Sequence, residues 1–188
     1  MKLEPGAEVI HTARLELVPL PARLLETVLR GDLEAANDEV GARVPRWLAN
    51  DPSQLTQLQL AEQAAQTEGF QGFGRLIVLA SEDGGRRVIG SIGFHGPPDH
   101  RGHLEVGSRI HPGHRGRGYA LEAMTGLLDW ATQRFGITRF VVAIQLRREL
   151  GDLVPIEVTT PGAARLDEQV EGLAVLLERG RQRSRPSC

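Results

Sequence analysis

One stretch constrains this chain more than any other: HLEVGSRIHPGHRGRGYALEAMTGLLDWATQRFG, His103 to Gly136. Its opening alternates. Leu104, Val106 and Ile110 fall on one side of an extended chain, with His103, Glu105, Gly107 and Arg109 on the other. Its second half has a different period. Leu121, Met124, Leu128, Ala131 and Phe135 recur at helical spacing, and Gly136 closes the run. Between the two lie Pro112, Gly113, Gly116 and Gly118. A change of period across a glycine-rich turn predicts a strand, a tight turn and a helix in direct succession.

That turn has chemical consequences. Glycines leave backbone N–H groups unshielded, and the first turn of a helix carries N–H groups without internal partners at the positive end of its dipole. Arg115 and Arg117 add charge, and neither Asp nor Glu occurs between Val106 and Leu121. Together these make an anion site, for which phosphate is the usual guest. A plain turn with solvated arginines would use the same residues, and the residues alone do not separate the two readings. The P-loop pattern G-x-x-x-x-G-K-[ST] is absent, and GRGYAL lacks the third glycine of G-x-G-x-x-G.

The flanking sequence supplies partners for this unit. ARLELVPL reads as a first strand, and PARLLETVLRGD as a helix with Leu24, Leu25, Val28 and Leu29 on one face. Residues 32 to 54 are mixed, broken by Pro45 and Pro52, and PSQLTQLQLAEQAAQTEG reads as a second helix. RLIVLAS and VIGSIGFHG flank a Gly-Gly turn and read as a hairpin. TRFVVAI is a short apolar strand. Beyond it, PIEVTT suits a strand, QLRRELGDL a short helix, and LDEQVEGLAVLLERG either a helix or a buried strand. The order of elements predicts an α/β fold with a mainly antiparallel sheet.

Composition excludes several classes of function. A net charge of -2, from 22 basic and 24 acidic residues, gives no bulk attraction to nucleic acid or membrane. Any anion site is therefore local. The single cysteine, Cys188, rules out an intrachain disulfide and a cysteine metal cluster. The absence of a signal peptide or a membrane-length apolar run leads us to expect a cytoplasmic protein. Five of the six histidines lie between His95 and His114, but their spacing across a hairpin and a loop suits no metal motif, and we expect none.

RGRGYA, Arg115 to Ala120, resembles the R/Q-x-x-G-x-G/A acetyl-CoA pyrophosphate loop of the GNAT acyltransferase superfamily. TARLELVPL resembles the opening strand of the branch that includes the ribosomal-protein N-terminal acetyltransferases, and VIGSIGFHG and LEVGSRIHPGHRGRGYALEAM follow in matching order. The resemblance covers about residues 12 to 144. It implies a GNAT-like mixed sheet flanked by helices, with splayed strands forming an acetyl-CoA cleft. It implies that Arg115, Gly116, Arg117, Gly118, Tyr119 and Ala120 hold the pyrophosphate, and that the pantetheine arm passes Ile110 and His111. The partners implied are acetyl-CoA and an amine acceptor, with a homodimer left open. We expect one domain over residues 12–178 and a basic, disordered tail over 179–188.

The reaction implied is direct acetyl transfer in a ternary complex. It needs a deprotonated amine, a donor for the oxyanion and a stable leaving thiolate. Glu105 is the candidate base: alternation sets it opposite the apolar row, and it matches the Glu of the family's E-x-G-Y pattern. An ion-paired or merely solvated carboxylate is the competing account. His95, at the end of a strand, is the second candidate. Trp47 and residues 32–73 fall where the family shapes its acceptor pocket, although core packing explains Trp47 equally well.

The pattern breaks after TRFVVAI. The family usually continues with Asn, Ser, a helix, often a thiolate-protonating Tyr, and Gly-Phe. Here QLRRELGDLVPIEVTTPGAA has no Asn, Ser, Tyr or Gly-Phe, and Tyr119 is the chain's single tyrosine. Divergence and a local change of reading frame over about residues 145 to 164 both account for the break. Loss of these groups also motivates an alternative function, a non-catalytic acyl-CoA-binding or interaction module on the same fold.

Overall fold

The computed structural model describes residues 8–50, 74–80, 84–145 and 153–159. Seven strands form one sheet in sequence order: β1 Ile10–His11, β2 Leu15–Pro19, β3 Gly74–Ala80, β4 Arg86–Phe94, β5 Leu104–Ile110, β6 Arg139–Gln145 and β7 Leu153–Thr159. Every neighbouring pair is antiparallel except β5 and β6, which run parallel. A parallel pair needs a crossover, and the helix α4, Tyr119–Phe135, supplies it. The expected mainly antiparallel α/β sheet is the one observed.

Each face of the sheet is covered. Leu104, Val106 and Ile110 of β5 point to the same side as Leu15, Leu17 and Ile92, and α4 closes this core with Ala123, Met124, Leu127, Leu128 and Ala131. The alternation read in β5 is thus the burial observed. On the opposite face Leu76, Val78 and Val88 pack against α1 (Ala22–Leu29), α2 (Leu33–Val40) and α3 (Arg46–Ala49). Arg75 is a buried cation in this frame. Its guanidinium bonds to Glu8 O and Leu17 O and lies 4.4 Å from the Trp130 ring centroid. Burial lowers its pKa to about 10, against the raising effect of Glu8.

Helix α2 lies in the stretch that composition left mixed. Its apolar signal is short, with Ala36 and Val40 buried, and its boundaries come from local chemistry instead. The Asp32 side chain accepts from Ala35 N at the start, and Gly41 ends it in the left-handed region. The expected helix over residues 52–69 and the elements expected over 166–180 lie outside the described residues, as does the tail at 179–188.

The β5–β6 pair is short. Leu104, Glu105 and Val106 pair with Phe140, Val141 and Val142, and no further rungs follow in these seven-residue strands. Strand β6 continues along β7 instead, as far as Gln145 opposite Leu153. Residues 146–152 join the two. The expected short helix QLRRELGDL falls largely on this connection, outside the described residues. Among the described residues no helix is long and apolar enough to cross a membrane.

Candidate active site

The parallel strands part beyond Val106 and Val142, leaving a fork at their C-terminal ends. Backbone bonds show which groups line it. Glu105 O accepts from His95 N, and His111 N donates to Ile89 O, so the odd-numbered peptide groups of β5 serve β4. By strand alternation the N–H groups of Ser108 and Ile110 face the side where β6 has diverged. The carbonyl of Ile110 receives Arg115 Nε at 2.8 Å, which ties the end of β5 to the following turn.

That turn runs from a short 3-10 turn, Pro112–His114, to α4. Gly116 and Gly118 have φ of 73° and 77°, the left-handed region that favours glycine. Gly118 is the N-cap of α4 and offers no side-chain acceptor to the first-turn amides. The amides of Gly116, Arg117 and Gly118 have no hydrogen-bond partner among the described residues. Strand, glycine turn and helix therefore stand as the sequence implied, with exposed donors at the end of the fork.

What holds the loop was not read from the sequence. The Glu122 carboxylate, in the first turn of α4, accepts from Thr12 Oγ1 at 2.6 Å, Arg14 N at 2.7 Å and Arg14 Nε at 2.6 Å. Arg14 NH1 also donates to Arg117 O at 3.0 Å, and its guanidinium lies 4.6 Å from the Tyr119 ring centroid. Thus the β1–β2 turn clamps the loop across the sheet. Burial by itself would raise the Glu122 pKa. The bonds from Thr12 and Arg14, with the Arg14 charge, outweigh it and hold the carboxyl below its ordinary range. No local motif reports this, because the partners are 108 residues apart.

Beside the clamp opens a cavity of about 840 Å³, lined by His11, Arg14, Arg87, His114, Arg117 and Tyr119 among others. Arg14, Arg87 and Arg117 outnumber the one carboxylate of its lining, Glu16, which favours an anionic guest next to the loop. His114 is held below the usual histidine pKa, first by burial and then by His111, Arg117 and Arg87. The Trp47 ring, from α3, lies 5.2 Å from that of His111 at a tilt of 34°, and His111 Nδ1 accepts from Gly113 N. Trp47 therefore reaches the end of β5 as well as packing against the α1–α3 core.

The two candidate bases are brought together. His95 Nδ1 lies 3.1 Å from Glu105 Oε1, on the sheet face opposite α4. The remaining histidines are dispersed. His103 is buried, with Nδ1 3.3 Å from Asp99 Oδ2 and Nε2 2.9 Å from Arg139 NH2. Among the described residues no group of three or more potential metal ligands forms.

Residues 14–147 match the Acetyltransferase (GNAT) domain family, and the chain belongs to that family and is an acetyltransferase. It is 27% identical over 131 residues to the uncharacterized N-acetyltransferase YjdG of Bacillus subtilis (strain 168), an overlap of 70% of this chain and 76% of that one. Its fold is similar to a GnaT-family acetyltransferase structure from Bordetella pertussis, at 23% identity, 87% coverage of each chain and a TM-score of 0.50. Another similar structure is the microcin C7 self-immunity acetyltransferase MccE, solved with acetyl-CoA and AMP, at 15% identity, 78% coverage of each chain and a TM-score of 0.47.

Proposed function

We propose that this chain moves the acetyl group of acetyl-CoA to a primary amine by direct attack in a ternary complex, in the cytoplasm. The observation that carries the reading is the continuity of fork and loop. β5 amides without a partner among the described residues lead from the end of the parallel ladder directly into the glycine turn and the positive end of α4. Acetyl-CoA has the matching order of groups: a thioester, an amide-bearing arm and a pyrophosphate. The phosphates would lie on the amides of Arg115 to Ala120, beside the Arg14, Arg87 and Arg117 cations. The arm would bond to the amides of Ser108 and Ile110 and pass His111, whose own amide is held by Ile89 O. A β5 amide at the fork would then meet the oxyanion as the carbonyl becomes tetrahedral.

The acceptor is an N-terminal α-amine of a protein or a small-molecule amine. The α-amine needs less help, since its reference pKa is about 7.7–8.0 against about 10.4 for lysine. The leaving thiol, with a reference pKa of about 8.5, departs as thiolate without demanding an acid. This suits a chain whose one tyrosine packs under Arg14 in the clamp.

The test is release of free thiol from acetyl-CoA in the presence of peptides with free N-termini, lysine peptides, aminoglycosides and polyamines. Turnover with at least one amine is expected. Tight acetyl-CoA binding with no release on any amine would replace the enzyme with the acyl-CoA-binding module.

A further inference from the structure

We infer that His95, rather than Glu105, takes the proton from the attacking amine, and that Glu105 is a positioning residue that holds the imidazole. The inference rests on the acetyl-transfer reading above and assigns the base within that site.

The geometry separates the two roles. Glu105 is paired within the parallel ladder, opposite Val141, so its position lies short of the fork. Gly107 is the first residue past the last rung, Val106 to Val142, and the His95 ring lies over it. A Cβ at Gly107 would stand 2.5 Å from His95 Nε2 and 2.6 Å from Cε1, an overlap no real side chain sustains. The missing side chain is therefore the seat of the imidazole. An ionised carboxylate can only accept, so its bond to Nδ1 fixes the tautomer with hydrogen on Nδ1 and the lone pair on Nε2. The lone pair is then on the atom above the fork, where the thioester would lie. A 36% exposed side chain keeps contact with water, into which the proton can pass.

The surroundings leave this role to His95. On the same face of β5, His103 has both ring nitrogens engaged, by Asp99 and Arg139. Arg139 is further occupied by Arg101 O, and Arg109 is a cation with no basic lone pair. These, with Glu105 and with the exposed Glu157 of β7 two strands away opposite Val141, are the charged and titratable groups of β5, β6 and β7 that share this face.

The step balances simply. Nε2 takes one proton from the acceptor ammonium, freeing its lone pair. The nitrogen bonds to the thioester carbonyl carbon, and the tetrahedral adduct collapses with cleavage of the C–S bond. The sulfur leaves with the bonding electrons and takes up the proton shed by the new amide nitrogen. His95 returns its proton to solvent.

Three variants test the assignment: His95→Gln, Glu105→Gln and Gly107→Ala. Each is measured for kcat against pH and for acetyl-CoA affinity by calorimetry. For His95→Gln we expect kcat to fall about 100-fold or more, loss of the acid limb of the pH profile and an acetyl-CoA Kd within about threefold of wild type. Glu105→Gln should lower kcat about tenfold and keep the acid limb, since the imidazole remains but a carboxylate no longer holds it. Gly107→Ala should also lower kcat at unchanged acetyl-CoA affinity, since it unseats the ring without removing it. Wild-type kcat in His95→Gln, or an acid limb that survives there and vanishes in Glu105→Gln, would overturn the assignment. Failure of the wild-type chain to turn over any amine would instead remove the acetyl-transfer reading itself, and this one with it.

Discussion

Gly118 shows how much one residue can carry. At φ 77° it sits where an L side chain is strained, and a Cβ there would lie 3.4 Å from Arg14 NH2. Gly118→Ala should therefore cost about 1 kcal/mol of stability, read from urea unfolding. Gly118→Asp should in addition weaken acetyl-CoA binding about tenfold or more, because a carboxylate then faces the phosphates; normal binding by that variant would reject the loop as their site. The determinants of this site are contiguous in the chain, which is why the sequence displayed them. Period change, glycines, arginines and the lack of acidic residues can all be read within a few turns of backbone. His95 and Glu105 were legible separately, as two candidate bases. Their pairing was not, because it depends on the register that sets Gly93 opposite Gly107 and Phe94 opposite Val106.

At the scale of elements, the β1–β2 turn and α4 act as one unit through Thr12, Arg14 and Glu122. The Glu122 side chain is 15% exposed and Arg14 is 48% exposed, so solvent screens part of their attraction. Loss of the clamp should cost about 1 kcal/mol in total. Its pH dependence has a definite sign. The folded Glu122 pKa lies below the unfolded value, so the contribution is complete above the ordinary carboxylate range and disappears as pH falls through the lowered value. Acetyl-CoA affinity should weaken over that acid window. Glu122→Gln should weaken it at neutral pH and remove this part of the acid dependence, as measured by Kd against pH. Elements were legible in the sequence where its pattern followed burial: alternation in β5, helical spacing in α4, and unbroken apolar runs in β3 and β4. Helix α2 escaped because two buried residues make no pattern, and the clamp escaped because it joins charges from distant parts of the chain.

At the scale of the molecule, three parallel rungs join the β6–β7 hairpin to the rest of the sheet. Some of that junction is apolar: Phe140 is fully buried and stacks with Phe94 at 6.3 Å. A ligand lying in the fork would bridge both sides. At one hundred times its Kd, acetyl-CoA should add about 2.7 kcal/mol of stability, and so raise Tm by roughly 5–10 °C. The gain is read in a thermal melt with and without the cosubstrate. The overall topology followed from the order of periodic segments. The abrupt end of the β5–β6 ladder did not, since strand divergence has no signature in hydrophobic pattern and the family's usual Asn, Ser, Tyr and Gly-Phe are missing from QLRRELGDLVPIEVTTPGAA. On the proposed reading, that divergence would give the cosubstrate an architectural part as well as a chemical one. By bonding to the amides of Ser108 and Ile110 it would stand in for a strand, closing a raw sheet margin of the kind through which proteins aggregate. Solubility of the chain would then follow the supply of its own reactant, and scarcity of acetyl-CoA would become a hazard to the protein as well as a limit on its rate.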